Sequence, residues 1–318
     1  MSASTHPWLS FVVVFHAMQR EAPRTLYSLS RTYQRDSRYP DYEVIALDHG
    51  SPMPLDPAMV RGFGPEFQLR RIDTDAVSPV AAINDAVRAA RGRCVAVHID
   101  GARILSPGVI NGMRDAFRLY PNAFAHTLGF HLGPGPQGRT MLEGYDRATE
   151  DRLLGRSGWR ADGYRLFDIA ALAVSSEGGW FSDLQESNCY ALPRETFLEM
   201  GGLHPGFRSP GGGLCSLDFY NRAMQHPGLT PVRLLGEGSF HQIHGGVATN
   251  AAPEASPWDG FQQEHAALYG RPWELLRDQE PVCLGRLHRR ARAFPSGIDA
   301  PRLKQADGSD SMVLPIAT

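Results

Sequence analysis

Two carboxylates stand where apolar runs end in the first third of the chain. Asp48 follows the run YEVIAL, and Asp100 follows the run CVAVHI a few residues before a Ser-Pro-Gly turn. A continuous apolar run bounded by polar residues is typical of a buried strand. Ligands of open α/β sheets bind at the C-terminal ends of the strands. The pattern therefore predicts a site for a polar, nucleotide-like ligand.

Each of these aspartates also has a structural explanation. A turn aspartate before Gly50 would bond to backbone amides, and an aspartate after a strand would cap the next turn. His98 lies two residues before Asp100 and therefore faces the same side of its strand. A lone histidine at such a position is more often a core residue than a ligand. We favour ligand binding for Asp48 and Asp100, and a core position for His98.

His241 and His244 form an H-x-x-H pair after an apolar run, and two glycines follow them. Residues three apart face opposite sides of an extended strand, so both imidazoles reach one ligand only if the chain turns there. With Asp100 they would form a mixed nitrogen and oxygen ligand set, compatible with manganese or zinc. Without a metal, His244 and Arg103 would neutralise an anionic ligand directly. A buried histidine bonded to backbone is the remaining alternative.

Asp218 follows the glycine-rich segment SPGGGL at the start of a predicted helix. A positioned carboxylate can remove the proton of an acceptor hydroxyl, which is general base catalysis. An aspartate in the first turn of a helix is also favoured by the helix dipole without any catalytic role. The two interpretations are compatible at this position.

The composition excludes several classes of protein. The chain has 318 residues, 42% hydrophobic and 21% charged, and its net charge of −2 gives no broad basic surface for nucleic acid. Its four cysteines lack a C-x-x-C pair, which is typical of reduced thiols and argues against a structural zinc site. No apolar run is long enough to cross a bilayer or form a signal peptide core. We expect a cytoplasmic protein with no nucleic-acid partner and no integral membrane segment.

Alternating strands and helices over residues 1–120 predict a doubly wound α/β layer that positions these side chains. Its predicted strands are Leu9–Phe15, Glu43–Leu47, Phe67–Ile72 and Cys94–Ile99, and its helices are Arg24–Arg35, Pro79–Arg91 and Val109–Tyr120. The second half is less regular. It has predicted strands at Ala123–Leu132, Cys189–Leu192 and Val232–Leu235, helices at Met141–Leu154, Pro193–Met200 and Ser216–Met224, and a mobile loop, Leu172–Ser187, that carries Trp180 and Phe181.

The order of six segments resembles family-2 glycosyltransferases with the GT-A fold. The segments are FVVVFHA, VIALDHGS, AAINDAVRAARG, VHIDGARILSPG, YALPRETFLEMGGLHPGF and GLCSLDFYNRA. The resemblance covers about residues 9 to 246 and implies a GT-A-like, Rossmann-type nucleotide-binding mixed sheet flanked by helices. Two departures stand out. Ala102 occupies the second position of the family's D-x-D motif, a usual metal ligand, and Leu217 replaces the glutamate of its E-D pair.

The resemblance also implies roles for individual residues. Asp48 would bond the base or ribose of a nucleotide, and Asp100 would contact the ribose or a metal. The expected nucleotide-binding residues are Phe15, Asp48, Asn84, Asp100 and Arg103, although a structural role bonding the adjacent loop is an equal alternative for Asn84. The expected ligands of a divalent metal, Mn²⁺ or Mg²⁺, are Asp100, His241 and His244. Asp218 would be the general base.

The sequence therefore predicts transfer of a sugar, with inversion, from a UDP- or GDP-sugar to a hydroxyl acceptor, with a role in polysaccharide biosynthesis. We expect residues 1–120 to bind the nucleotide sugar and residues 121–250 to form the acceptor half of the same domain. Residues 251–318 would form a helical extension and tail. One alternative is a sugar nucleotidyltransferase, although FHAMQREAPR lacks the glycines that such enzymes carry after the first strand. The other is a non-catalytic nucleotide-sugar-binding protein that lost the D-x-D metal site.

Overall fold

The computed structural model describes residues 7–34, 42–246, 256–276 and 279–294. Within these ranges the chain forms a ten-stranded mixed sheet flanked by helices. The strands are β1 Leu9–Phe15, β2 Tyr42–His49, β3 Phe67–Ile72, β4 Cys94–His98, β5 Arg103–Leu105, β6 Ala123–Leu132, β7 Ala170–Leu172, β8 Cys189–Pro193, β9 Thr230–His241 and β10 Val282–Gly285. The helices are α1 Ala22–Leu29, α2 Pro57–Arg61, α3 Val80–Ala89, α4 Val109–Leu119, α5 Gln137–Thr140, α6 Arg147–Ser157, α7 Arg194–Glu199, α8 Cys215–Gln225 and α9 Trp258–Tyr269.

The order of strands across the sheet is β10-β9-β6-β8-β4-β1-β2-β3. Strand β8 is antiparallel to both of its neighbours, β4 and β6, and the other strands of this series run in one direction. Strands β5 and β7 add short antiparallel pairings to β9 and β6. The C-terminal ends of β1, β2, β4, β6 and β9 therefore lie along the same edge. The α/β fold class and the mixed sheet expected from the GT-A resemblance are confirmed.

The sheet is covered on both faces by apolar side chains. Every residue of β1 and β2 is buried, as expected for parallel strands inside an α/β layer. In β1, Val12 and Val14 join a cluster that includes residues of α3 and α8. Phe11, Val13 and Phe15 point the other way, into a cluster that includes residues of α1 and α4. Because both faces of the strands are covered, their side chains can reach solvent only at the ends of the strands.

The predicted helix at Met141–Leu154 is wrong in its position. Helix α6 starts at Arg147 because the side chain of Asp146 accepts a hydrogen bond from the backbone N–H of Thr149, at 2.7 Å, and caps the helix. The predicted helix at Arg24–Arg35 also ends early, because α1 stops at Leu29. Among the helices of the described ranges, none is long and apolar enough to cross a membrane.

The segment 172–187 is fastened to the core, contrary to the predicted mobile loop. Trp180 is fully buried, and its indole N–H donates to the carbonyl oxygen of Ala291 at 2.9 Å. The buried guanidinium of Arg233 donates to the carbonyl oxygens of Trp180 and Ser182. Trp180 is therefore a core residue. Its neighbour Phe181 is exposed.

Candidate functional site

Strand β5 brings the end of β9 to the loop that follows β4. Arg103 of β5 lies opposite His241, the last residue of β9. The pairing continues for one more residue, since the backbone N–H of Gln242 donates to the carbonyl oxygen of Ala102 at 2.7 Å. Asp100 is three residues before Arg103, so this pairing places its carboxylate beside His241. The two histidines meet at one carboxylate because the strand ends at His241 and the chain turns before His244.

The carboxylate of Asp100 divides its two oxygens between different partners. Oδ1 accepts a hydrogen bond from the backbone N–H of Ala102 at 2.9 Å. Oδ2 lies 3.0 Å from Nε2 of His241, 3.6 Å from Nε2 of His244 and 3.5 Å from Nε of Arg103. Burial alone would raise the pKa of Asp100, but the two histidines outweigh it and hold the pKa well below its usual value. The carboxylate is therefore ionised at neutral pH.

The two imidazoles differ in their electrostatics. Burial opposes the charged form of both rings. Burial lowers the pKa of His241 to about 4, because it outweighs the opposing charge of Asp100. For His244 the carboxylate of Asp100 outweighs burial, and the pKa is raised. His241 is consequently a neutral ring at pH 7, whereas His244 binds a proton more readily than a free histidine.

His241 lies between two hydrogen-bond acceptors. Its Nδ1 is 2.6 Å from Oε1 of Gln137, and its Nε2 faces Asp100. The amide nitrogen of Gln137 donates to the carbonyl oxygens of Leu132 and His241, which turns the amide oxygen toward the ring. Nδ1 therefore carries the proton of the neutral ring, and Nε2 presents a lone pair to the carboxylate. A lone pair and a carboxylate oxygen 3.0 Å apart repel each other unless a proton or a cation lies between them.

The donor atoms fit a divalent cation. One oxygen of Asp100 and one nitrogen each from His241 and His244 all lie within 4.8 Å of one another. Two ligand atoms about 2.1 Å from a metal and at right angles to each other are about 3 Å apart, as the contact of His241 with Asp100 is. A metal-bound histidine commonly donates its other N–H to an oxygen, as His241 does to Gln137. The structure thus brings Asp100, His241 and His244 together, and their role as metal ligands stays a prediction.

Ala102, at the second position of the D-x-D pattern, is turned away from solvent. Its side chain is fully buried and belongs to the apolar cluster that contains Phe15 and Leu105. Its backbone is engaged at both ends, by Asp100 through the N–H and by Gln242 through the carbonyl. An aspartate side chain in this backbone position would enter the core.

Arg103 adds a buried positive charge beside Asp100. The residue is 3% exposed, and its Nε and Nη1 have no hydrogen-bond partner in the part of the chain that the structure describes. Burial lowers its pKa, against the opposing effect of Asp100 and Glu186. Buried guanidinium groups of this kind are suited to bind planar or tetrahedral anions. Its contact with a nucleotide stays a prediction.

Asp48 lies at the same edge of the sheet, in register with Phe15 of β1. Its Oδ2 accepts a hydrogen bond from the backbone N–H of Leu55 at 2.6 Å, so the expected turn contact is present. Its Oδ1 is buried and has no partner among the described residues. The side chain of Phe15 is fully buried in the core, so a ligand at this position would meet its backbone. Nucleotide binding by Asp48 and Phe15 stays a prediction.

The tip of β1 carries a strained residue that the sequence did not reveal. Ala17 has a φ of 52°, and it is the one non-glycine residue with positive φ in the described ranges. Its backbone N–H donates to Oγ of Ser51 at 2.9 Å, and Nδ1 of His16 lies 2.7 Å from the carbonyl oxygen of His49. The ends of β1 and β2 are thereby tied together. Strained backbone of this kind is concentrated at functional sites.

Asn84 of α3 is bonded to the residue that directly follows the Gly-Gly segment. Its Oδ1 accepts from the backbone N–H of Leu203 at 3.0 Å, and its Nδ2 donates to the carbonyl oxygen of Leu203 at 2.8 Å. Both ends of the amide are therefore engaged by one residue of the protein. This is the structural alternative expected for Asn84, and a ligand contact stays a prediction.

Asp218 lies in the first turn of α8, and its side chain is 5% exposed. Its Oδ2 accepts a hydrogen bond from Nε of Arg222 at 2.9 Å, and the hydroxyl of Tyr269 also bonds to it. Arg222 is itself fixed by the carbonyl oxygens of Met200 and Gly202. The carboxylate is thus held in one orientation, and its role as a base stays a prediction.

Glu186 is a carboxylate that the sequence analysis missed. The antiparallel register places Cys189 opposite His98, so the residues just before β8 lie beside the loop that contains Asp100. Burial raises the pKa of Glu186, and Arg103, Asn188 and Ser216 lower it. It therefore lies between the Asp100 cluster and the start of α8. No motif marks it, because its position depends on the pairing of β8 with β4.

Comparison with known proteins gives structural neighbours at low similarity. No protein family model matches the chain, and no curated protein matches it. A structure of S. aureus TarS 1-349 in complex with UDP has 11% identity and a TM-score of 0.46, over 84% of this chain and 67% of that one. TarS 1-349 in complex with UDP-GlcNAc has 18% identity and a TM-score of 0.33, over 41% and 36%. A longer TarS structure has 13% identity and a TM-score of 0.43, and this chain spans 40% of its length. At this low similarity, function is inferred from the residues of the site.

Proposed function

We propose that this chain is a glycosyltransferase that moves a sugar from a nucleoside diphosphate sugar to a hydroxyl acceptor. The observation that carries the proposal is the contact of His241 with Asp100. A neutral imidazole presents a lone pair to a carboxylate there, with His244 beside them. The contact lies at the C-terminal edge of the parallel strands, where α/β sheets bind nucleotides.

The Asp100, His241 and His244 side chains would hold the cation of such an enzyme. A divalent cation, Mn²⁺ or Mg²⁺, would supply positive charge to the diphosphate as the sugar departs. Three protein ligands leave coordination positions for phosphate oxygens. Arg103, buried 3.5 Å from Asp100, adds a positive charge to the same edge of the sheet.

Asp48 would bind the nucleoside of the donor, a UDP- or GDP-sugar. Its buried Oδ1 has no hydrogen-bond partner among the residues that the structure describes, and it would accept from an N–H of the base or from a ribose hydroxyl. The backbone at Phe15 and the strained tip at Ala17 lie at the neighbouring strand end. The nucleoside would therefore lie across the ends of β1 and β2, with the diphosphate toward Asp100.

Asp218 would accept the proton of the attacking hydroxyl, and the reaction would proceed with inversion. In an inverting transfer the acceptor hydroxyl attacks the sugar from the side opposite the diphosphate, so the base must lie within hydrogen-bond reach of that hydroxyl. Arg222 and Tyr269 hold the carboxylate in place. The same contacts favour the second candidate, a non-catalytic nucleotide-sugar-binding protein, because they engage Asp218 before any substrate arrives.

Calorimetric titration with UDP and GDP, each with Mn²⁺ and with EDTA, tests the donor site. We expect one nucleotide to bind only when Mn²⁺ is present, and Asp100→Asn to abolish that binding. Asp85→Asn, an exposed carboxylate paired with Arg88 on α3, is the matched control and should bind like the wild type. Binding that EDTA leaves unchanged contradicts the cation site. Mn²⁺-dependent binding without turnover on any sugar nucleotide favours the non-catalytic protein.

A further inference from the structure

Two buried side chains behind the histidines engage the H-x-x-H turn from the protein side. Gln137, the first residue of α5, and Glu150, within α6, are both fully buried. Neither belongs to the group of cation ligands. Their hydrogen bonds converge on the segment from His241 to His244.

Gln137 determines which ring nitrogen of His241 carries the proton. Its amide oxygen is 2.6 Å from Nδ1 of the ring, and its amide nitrogen donates to the carbonyl oxygen of the same residue at 3.0 Å. The amide nitrogen also donates to Oε2 of Glu150 at 3.4 Å. Reversal of the amide would place its nitrogen against the ring and its oxygen against three acceptors, which belong to Leu132, Glu150 and His241. The orientation of Gln137 is therefore fixed, and with it the proton on Nδ1.

Glu150 holds the backbone of the turn. Its Oε2 accepts from the N–H of Ile243 at 2.9 Å, and its Oε1 accepts from Nη2 of Arg20 at 3.0 Å. Nη1 of Arg20 donates to the carbonyl oxygen of Ile243 at 3.0 Å. Glu150 thus bonds to the N–H of Ile243 and Arg20 to its carbonyl oxygen, and Ile243 lies immediately before His244. These hydrogen bonds hold the turn that brings His244 back toward Asp100.

We propose that Gln137 and Glu150 are positioning residues for the cation site, an inference that rests on the proposed function. Gln137 fixes His241 as the Nδ1–H tautomer, so that the lone pair of Nε2 faces Asp100. Glu150 fixes the turn that brings His244 to the same carboxylate. Neither residue touches the cation, and each acts through a histidine. Outer partners of this kind orient metal-bound histidines and tune their affinity for the metal.

Mn²⁺ titration of four variants tests the proposal. Gln137→Met keeps the length of the side chain and removes its hydrogen bonds, and we expect it to weaken Mn²⁺ binding about 10- to 100-fold. Gln34→Met is the matched control, because Gln34 is also a buried glutamine with three backbone partners, and these lie at Ser28, Ser106 and Ile110. We expect its Mn²⁺ affinity to stay within about twofold of wild type. Glu150→Ala should lose affinity, and Glu150→Gln, which keeps an acceptor for Ile243, should recover part of it.

The tautomer of His241, measured by long-range ¹H–¹⁵N NMR on the metal-free protein, separates this inference from the proposed function. We expect the Nδ1–H form in wild type and in Gln34→Met, and a shift toward Nε2–H in Gln137→Met. Wild type that binds no Mn²⁺ refutes the cation site, and the NMR measurement then still decides the role of Gln137. Gln137→Met with unchanged tautomer and unchanged Mn²⁺ affinity overturns the positioning role. Equal affinities for Glu150→Ala and wild type overturn the role of Glu150.

Discussion

At the scale of one residue, the carboxylate of Asp100 both caps a turn and faces the candidate ligand site. One oxygen caps the turn through the N–H of Ala102, as an aspartate after a strand commonly does. The other oxygen faces two imidazoles and a guanidinium. The structural bond orients the carboxylate, and that orientation makes the second oxygen available to a ligand. The structural and functional interpretations of this residue are therefore compatible.

Ala102→Asp should destabilise the protein and should fail to improve metal binding. The side chain at this position is fully buried in an apolar cluster, so a carboxylate there loses its hydration without gaining a partner. We expect a loss of about 2 to 4 kcal/mol in the free energy of unfolding, measured with urea. Ala81→Asp, on the exposed face of α3, should change it by less than about 0.5 kcal/mol. Tighter Mn²⁺ binding by a stable Ala102→Asp protein contradicts the orientation of this side chain.

Asp218→Asn should lower turnover about 10²- to 10⁴-fold and leave the affinity for the donor within about twofold, because it removes a proton acceptor and keeps the shape. The measurement is product formation under saturating donor, together with calorimetric donor binding. Glu186→Gln tests the neighbouring carboxylate in the same assays. If Glu186→Gln abolishes turnover and Asp218→Asn does not, then Asp218 is not the base.

The sequence predicted that Asp100, His241 and His244 lie together, but it did not predict the residues that surround them. Asp100, His241 and His244 carry recognisable chemistry at the ends of apolar runs, and the structure brings them together. Gln137 begins a helix of four residues and Glu186 belongs to an irregular segment, and the place of both depends on strand pairings distant in sequence. A glutamine or glutamate in such a segment has no periodicity that marks it. Outer partners of a site are consequently harder to predict than its ligands.

At the scale of elements, strand ends decide the geometry of the site. Strands β3 and β6 match their predicted bounds, because long apolar or alternating runs bounded by turns define them locally. Strand β9 runs from Thr230 to His241, well beyond the predicted Val232–Leu235, because glycines at 236 and 238 hid its continuation. Strand β5 was not predicted, since three residues carry no pattern of their own. The pairing of β5 with β9 nevertheless builds the site.

Glu237 links β9 to the start of α4 and gives a prediction for pH. Its carboxylate accepts from the hydroxyls of Ser106 and Tyr164 and from the N–H of Gly108. Burial raises the pKa of Glu237 to about 7, against these bonds, whereas an unfolded glutamate titrates near about 4.3. Between these values the unfolded state is ionised and the folded state protonated. Ionisation then favours unfolding, so this group lowers stability as pH rises through that window, by up to about 3 kcal/mol.

Glu237→Gln removes this contribution, because an amide does not titrate. The decrease in the free energy of unfolding between pH 5 and pH 8 should therefore be smaller in the variant than in the wild type. Urea unfolding at the two pH values measures the difference. Asp85→Asn, which changes an exposed carboxylate paired with Arg88, is the control, and its pH dependence should match that of the wild type. An identical pH dependence in wild type and Glu237→Gln shows that the group does not titrate in this window.

At the scale of the whole molecule, one sheet joins strands of residues 1–120 to strands of residues 121–250. Strand β8, from the second half, pairs with β4 of the first half and with β6 of its own half. Residues 1–120 and 121–250 are therefore proposed as halves of one domain. Residues 295–318, the last part of the predicted extension and tail, lie outside the described residues.

A single cooperative unfolding transition should follow from this shared sheet. Far-ultraviolet circular dichroism reports the backbone of both halves, and tryptophan fluorescence reports local surroundings that include the buried Trp180 and Trp159 of the second half. We expect the two signals to change together in urea, since breaking the pairing of β4 with β8 exposes both halves. Two separate transitions would instead mean that the halves are independent domains.

The most direct test of the central claim is anomalous diffraction from crystals of the protein grown with Mn²⁺ and the nucleoside diphosphate that binds best. We expect one manganese peak within bonding distance of Asp100 Oδ2, His241 Nε2 and His244 Nε2, with the diphosphate oxygens completing its coordination. A bound nucleotide with no manganese at these three atoms, or with manganese held elsewhere, contradicts the proposed cation site.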